Sequence, residues 1–137
     1  MVDGDRLLIF QRWLMQGRRD LKAAEVLQKS GAYEWAAFLG HQAAERVLKA
    51  YLHHRGEEAV MGHSIRSLVH KCGSYDAAFE AAHEAGRIDD FYAAPRFPDS
   101  FGEDVPADAI TPEEAEVAVG LARRVVELVD KLASEEG

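Results

Sequence analysis

The sequence predicts an all-α protein, folded as an antiparallel up-and-down bundle of four to five helices. Three observations support this fold class. The chain has 137 residues, which is the size of one domain. Apolar residues recur at spacings of three and four in most segments, whereas the alternation typical of strands is nearly absent. The links between the first four predicted helices are short, so we expect a single domain over residues 1–137.

The first two helices are predicted from their apolar spacing and from the glycines that follow them. Helix one covers about residues 5–29 and ends at Ser30 and Gly31. Helix two covers about residues 33–55 and ends at Gly56. A link this short between two long helices predicts that they pack side by side in opposite directions.

Three further helices and one long loop complete the predicted bundle. Ser64 caps helix three, which ends near Gly73, and helix four covers about residues 75–92. Residues 94–110 contain three prolines and a glycine and are predicted to form a long loop. The pair Thr111-Pro112 then begins the last helix, because threonine is a good cap and proline needs no amide donor there.

Composition excludes several classes of function. The formal net charge of −8 argues against broad binding of polyanions, so any contact with nucleic acid must be local. The single cysteine, Cys72, suits a reducing compartment, and neither a targeting segment nor a membrane-spanning run is visible. We therefore expect a cytoplasmic protein without membrane contact. The six histidines are scattered without ligand spacing, so we expect no metal and no other cofactor.

Helix two carries two separate patterns. At roughly 100° per residue, its small and aliphatic residues form one arc that can pack inside the bundle. The opposite arc combines aromatic, aliphatic and polar residues, namely Trp35, Phe38 and Leu39, followed by Gln42, Arg46, Lys49 and His53. We expect the first three to form the interface of a homodimer and the others to bind a ligand.

An acidic residue on the apolar stripe of helix one calls for a partner. Asp20 falls in line with the positions that face the core, where an unpaired carboxylate is costly. Arg96, His41 or His63 could supply the partner. We expect a structural ion pair here rather than a catalytic group.

Several motifs of the chain follow one another in a distinctive order. They are Asp20-Leu21, His41-Gln42-Ala43-Ala44-Glu45-Arg46 with Lys49-Ala50, Gly62-His63-Ser64, Ile88-Asp89-Asp90-Phe91-Tyr92 and Arg96-Phe97-Pro98-Asp99. This set resembles the HEPN domain family (higher eukaryotes and prokaryotes nucleotide-binding) and covers most of the chain. The resemblance implies a helical, usually dimeric domain, often encoded beside a minimal nucleotidyltransferase as a toxin–antitoxin-like pair. Some members of that family are metal-independent ribonucleases.

The ribonuclease relatives carry an arginine followed about four to six residues later by a histidine. In such a pair the imidazole moves the 2′-hydroxyl proton and the guanidinium group stabilises the phosphorane-like charge. Arg96 stands in the corresponding late region, but no histidine follows His83. By this criterion the catalytic pair is absent. Arg46 and His53 match the pattern in a different helix, where residues seven apart share a face. The alternative for these two is structural, with Arg46 in surface ion pairs and His53 at a helix end.

The candidate ligand-binding residues share hydrogen-bonding or stacking chemistry. They are Gln42, Arg46, Lys49, His53, Arg96, Phe97 and Asp99. Arginine and lysine would bind phosphate by charge-assisted hydrogen bonds, and Phe97 or Trp35 would stack on a base. Asp99 pairs with Arg96 or caps a turn.

Three functions remain open on the sequence. The preferred one is a non-catalytic module that binds a nucleotide or RNA, pairs with a nucleotidyltransferase, or does both. The second is a metal-independent ribonuclease that uses Arg46 and His53. The third is a dimeric interaction subunit with no small ligand.

Overall fold

The structure, a computed structural model, describes residues 2–92 and 105–135, and these residues form helices and links without any strand. The helices are α1 (Val2–Ser30), α2 (Tyr33–His54), α3 (Ile65–Gly73), a 3₁₀ helix (Ala77–Phe91), α4 (Pro106–Ala109) and α5 (Pro112–Glu135). The predicted all-α bundle is confirmed. No helix in the described part of the chain is both long and apolar enough to cross a bilayer.

The centre of the bundle is α2. It packs against α1, α3, α5 and the 3₁₀ helix. Between Gly40 and Leu52 every residue of α2 is buried except Gln42 and Arg46, which are half-buried. The arc that the sequence predicted for contact is less exposed than expected, since Trp35 is exposed, Lys49 is buried and the other five residues, Phe38, Leu39, Gln42, Arg46 and His53, are half-buried. A helix covered by neighbours on several sides has little surface left for solvent.

Two glycines set how closely α2 approaches its neighbours. A Cβ atom on Gly17 of α1 would lie 2.5 Å from Cγ1 of Val47 and 3.2 Å from the carbonyl oxygen of Ala43. A Cβ atom on Gly40 would lie 3.3 Å from the carbonyl oxygen of Ala118 in α5. Side chains at these two points would push the helices apart, so glycine is required for the observed packing.

The predicted ends of the helices agree closely with the structure. Gly56 follows α2 with a φ of +103°, a conformation that favours glycine. The Ser64 hydroxyl accepts a hydrogen bond from the Ser67 amide at 3.2 Å and so caps α3. Thr111 and Glu114 exchange two hydrogen bonds of 3.1 Å at the start of α5, which is a capping box.

Two segments differ from the prediction. Helix four is a 3₁₀ helix, because four of its buried residues, Phe79, Ala82, Ala85 and Ile88, recur every third position. A period of three keeps them on one side of a 3₁₀ helix but not of an α-helix. The loop predicted at 94–110 contains the short helix α4 at its end. Residues 93–104, which include most of that loop, lie outside the described residues.

Candidate functional site

A stripe of three polar residues runs along the buried part of α2. His41, Glu45 and Lys49 are spaced four residues apart, so their side chains lie one above another. Their exposed fractions are 0%, 6% and 6%. A carboxylate oxygen of Glu45 accepts a hydrogen bond of 3.0 Å from the Lys49 ammonium. This pair is enclosed, so Lys49 is not available to a ligand, contrary to our prediction.

The link between α2 and α3 closes over this stripe. Nδ1 of His63 donates a hydrogen bond of 3.0 Å to Glu45, and Nε2 of His41 donates one of 2.8 Å to the His63 carbonyl oxygen. The Tyr92 ring stacks on the His63 ring, with centroids 4.8 Å apart. Burial lowers the pKa of His41, against the opposing effect of the Glu45 carboxylate. A neutral His41 is what its two hydrogen bonds require, since Nδ1 accepts from Gln42 at 3.3 Å.

Asp89 joins the same group from the end of the 3₁₀ helix. Its carboxylate accepts hydrogen bonds from the Ser64 hydroxyl at 3.0 Å and from the amides of Ile65 and Arg66 at the start of α3. One of its oxygens lies 3.6 Å from Nε2 of His41. We call His41, Glu45, Lys49, His63 and Asp89 the buried polar cluster after its three buried residues on α2; Asp89 is half-buried, and the His63 side chain, 55% exposed, forms its outer side. It fastens α2, α3 and the 3₁₀ helix together at one place.

Among the described residues, Asp20 is paired with Arg46 and with neither of the two predicted histidines. Asp20 is buried, with an exposed fraction of 7%, and its carboxylate binds Arg46 at 2.6 Å and the Gln16 side-chain amide at 3.0 Å. The packing of α1 on α2 through Gly17 brings Asp20 and Arg46 together. The two histidines that we proposed as partners, His41 and His63, belong to the buried polar cluster. The third, Arg96, lies outside the described residues.

A groove between α1 and α2 lies beside this ion pair. It has a volume of about 290 Å³ and is lined by Arg12, Trp13, Gln16 and Arg46, and we call it the α1–α2 groove. The Arg46 side chain is 35% exposed, while Arg12 is exposed and makes no ion pair with the described residues. Two guanidinium groups, an amide and an indole therefore border one space.

Sequence reasoning missed three of the four residues that line the groove, namely Arg12, Trp13 and Gln16. The Trp13 ring is half-buried, lies 5.6 Å from the His53 ring between centroids, and has the Lys49 ammonium 6.0 Å from its centroid. A usable signal was the position of Arg12 and Trp13 one turn before Gly17, where a second helix must come close.

The other predicted ligand-binding residues lie in different places. Gln42 is half-buried and donates to His41. Nδ1 of His53 donates to the Glu57 carbonyl oxygen at 2.9 Å, and the residue lines a separate groove near the start of α1. Arg96, Phe97 and Asp99 lie outside the described residues. Among the described residues, no three histidine, cysteine or acidic side chains are arranged to hold a metal ion.

The predicted interface residues differ in exposure. Trp35 is 44% exposed, whereas Phe38 and Leu39 are half-buried. The Phe38 ring contacts both Trp35, at 6.0 Å between centroids, and Tyr92, at 6.5 Å. Leu39 packs beside a small core of residues from α1, α2 and α5. Subunit contact through these three residues stays a prediction.

Comparison with known proteins supplies the family. The model of the HEPN domain family matches residues 10–132. The chain belongs to the HEPN domain family. The crystal structure of TT1696 from Thermus thermophilus is similar, with a TM-score of 0.82 and 34% identity, over 89% of this chain and 96% of that one. The crystal structure of ST0689, an archaeal HEPN homologue, has a TM-score of 0.73 and 30% identity, over 90% and 96% of the two chains. None of the curated proteins matches the chain.

Three of the five HEPN motifs of the sequence meet in the buried polar cluster. His41 and Glu45 come from the motif of α2, His63 from the link before α3, and Asp89 from the end of the 3₁₀ helix. Their chemistry here is mutual pairing inside the bundle. The α1–α2 groove, by contrast, offers polar groups toward solvent in this HEPN chain.

Proposed function

We propose that the chain is a non-catalytic HEPN module that binds the phosphate of a nucleotide or of RNA in the α1–α2 groove. The observation that carries this proposal is the convergence of Arg12 and Arg46 on one groove beside the Trp13 ring. Guanidinium groups match the oxygens of a phosphate, and an indole face stacks on a base. A local site of this kind is compatible with a net charge of −8, which disfavours broad binding of polyanions.

The two arginines have different duties in this proposal. Arg46 uses Nη1 to bind Asp20, and its other N–H groups remain for a ligand. The ion pair fixes the direction of its guanidinium group and reduces its net charge. Arg12 makes no ion pair with the described residues, so it supplies the larger share of uncompensated positive charge.

Titration of the purified protein with mononucleotides and short RNAs tests this function. We expect saturable binding that weakens as salt rises, since phosphate binding releases counterions. Arg12→Ala should weaken binding roughly tenfold. Arg19→Ala is the matched control, because Arg19 lies on the same helix, is exposed and does not line the groove. Equal effects of the two substitutions, or no saturable binding, would refute the proposal.

We also propose that the module forms a homodimer and pairs with a minimal nucleotidyltransferase in a toxin–antitoxin-like system. Support comes from the exposed Trp35 ring, whose edge contact with Phe38 leaves an aromatic surface beside α2. The solution mass should be that of a dimer, and Trp35→Ser should shift it toward a monomer. A gene for a small nucleotidyltransferase beside this one, with co-purification of the two products, is expected for the pairing.

The ribonuclease alternative has weaker support. Arg46 is bound to Asp20, whereas His53 lies tilted against the Trp13 ring and donates a hydrogen bond to the Glu57 carbonyl oxygen. The two groups border different grooves. We expect RNA to stay intact with the pure protein in EDTA. Cleavage in EDTA that His53→Ala abolishes would establish the alternative instead.

A further inference from the structure

An open groove of about 600 Å³ lies between α3 and the 3₁₀ helix, and we call it the α3 groove. It shares no residue with the α1–α2 groove. Its volume falls within the range of about 300–1,000 Å³ that small-molecule sites occupy.

The α3 groove combines an apolar floor with polar walls. Val69 and Phe79 are buried core residues that border it from below. Arg66, His70 and His83 are exposed at its edges and make no ion pair with the described residues. A surface that places apolar carbon next to several unengaged hydrogen-bond donors is typical of a ligand site.

The Arg66 side chain is held in position by the helix opposite. A Cβ atom on Gly86 would lie 3.1 Å from Nε and 3.2 Å from Cβ of Arg66, so the stem of the arginine lies directly against a glycine. The backbone amide of Arg66 is also fixed, since it donates to the Asp89 carboxylate at 3.2 Å. A guanidinium group on a restrained stem loses less entropy when it binds an anion.

We propose that the α3 groove binds a small amphipathic anion, a carboxylate or phosphate monoester with an apolar body. Arg66 binds the anionic group, the imidazoles of His70 and His83 add hydrogen bonds, and the apolar body lies against the groove surface, which is more apolar than polar. Glu80, a carboxylate on the same groove, repels polyanions and so favours a ligand with one anionic group over RNA.

Two fluorescent probes of nearly the same shape test the charge requirement. The anionic probe is 8-anilinonaphthalene-1-sulfonate, and the neutral one is N-phenyl-1-naphthylamine. We expect saturable binding of the anionic probe, and Arg66→Gln should weaken it roughly tenfold, the loss of one charge-assisted contact. The neutral probe should bind the wild type and the variant equally weakly.

Two control variants distinguish binding in the α3 groove from a general effect of charge and from binding in the α1–α2 groove. Arg87→Gln removes the same charge from an exposed position of the 3₁₀ helix outside the groove and should leave the affinity unchanged. Arg12→Ala changes the α1–α2 groove and should also have no effect, so the test is independent of the proposed function. Equal losses with Arg66→Gln and Arg87→Gln would show a general charge effect and overturn the proposal.

Competition identifies the source of the anion. Hexanoate and phenyl phosphate each present an anionic group on an apolar body, and displacement of the anionic probe by either supports the site. Stronger displacement by hexanoate indicates a carboxylate ligand, and stronger displacement by phenyl phosphate indicates a phosphate monoester. Displacement by neither, or by neutral hexanol as well as by hexanoate, would contradict the assignment.

Discussion

Two charge networks on α2 show how burial decides what a charged residue does. Glu45 and Lys49 lie in the buried polar cluster and bind each other, with His63 closing over them. Arg46 is the neighbour of Glu45 in the sequence, yet its side chain is 35% exposed and borders the α1–α2 groove. Of these two adjacent residues, Glu45 therefore has a structural role, whereas Arg46 keeps part of its side chain at the surface.

The difference follows from the cost of desolvation. An ion removed from water must recover its lost hydration through protein partners, so a buried charge binds as many of them as its geometry allows. Glu45 has Lys49, His63 and His41 around it. Arg46 keeps part of its hydration and has one carboxylate partner, Asp20, among the described residues. The partners of Glu45 therefore cannot be removed without loss of stability. The Arg46 side chain, in contrast, still contacts water that a ligand could replace.

The largest effect should follow from removal of the central carboxylate of the buried network. Glu45→Gln leaves the Lys49 ammonium enclosed without a counter-charge, so we expect a loss of about 3 kcal/mol in the free energy of unfolding. Urea denaturation followed by circular dichroism measures it. The matched control is Glu25→Gln, which breaks the exposed pair with Arg123 and should cost less than about 1 kcal/mol.

Equal losses in the free energy of unfolding for Glu45→Gln and Glu25→Gln would contradict the difference between the buried and the exposed ion pair. That result would mean that Lys49 gains water or another partner when Glu45 is neutralised. The double variant Glu45→Gln with Lys49→Met removes both charges and should recover most of the loss, because no buried charge is then left without its partner.

A smaller effect is expected at the half-exposed pair. Arg46→Ala leaves the Asp20 carboxylate with Gln16 as its remaining partner, so we expect a loss of about 2 kcal/mol in the free energy of unfolding. Asp20→Asn should cost less than about 1 kcal/mol, since Arg46 stays hydrated. A double-mutant cycle from urea denaturation gives the coupling energy. A coupling near zero would show that the pair does not contribute to stability.

The sequence predicted the helices well because the signals for them are local. The cap at Ser64, the capping box of Thr111 and Glu114, and the glycine after α2 each depend on a few neighbouring residues. The 3₁₀ helix was missed because its spacing of three was interpreted as part of an α-helical pattern. The three-residue period of its buried positions was visible in the sequence.

The candidate site was predicted less well because it depends on which helices are neighbours. Lys49 was taken for a surface cation, since one sequence does not show that Trp13 of α1 and His63 of the link before α3 lie beside that part of α2. Asp20 was correctly expected to need a partner, but the identity of that partner depends on how α1 crosses α2. Arg12 and Trp13 lie at the same crossing, and the only local signal for them was their position one turn before Gly17.

The pH dependence of stability tests the protonation of His41 in the buried polar cluster. Burial lowers the pKa of His41 from its ordinary value of 6.5, so the unfolded chain binds a proton at a pH where the folded protein does not. Stability should therefore fall as the pH drops from about 6.5 toward the lowered pKa, by at most about 1.4 kcal/mol per pH unit from this residue. Urea denaturation between pH 7.5 and 5 measures this slope. His41→Gln should reduce it, and an unchanged slope would exclude His41 as its source.

A small effect on stability concerns a buried group for which burial outweighs a nearby positive charge. Burial raises the pKa of the Cys72 thiol to about 12 despite the opposing effect of Lys71, and the thiol donates to the Leu48 carbonyl oxygen at 3.6 Å. Burial thus keeps this group neutral, whereas the Glu45 carboxylate is hydrogen-bonded directly by the Lys49 ammonium. We expect the thiol to react with iodoacetamide at pH 8 only as fast as the protein unfolds locally around it. Cys72→Ser should lower the free energy of unfolding by about 1 kcal/mol. Rapid labelling of the native protein would show that water reaches Cys72, and that burial in this bundle does not by itself hold a group neutral.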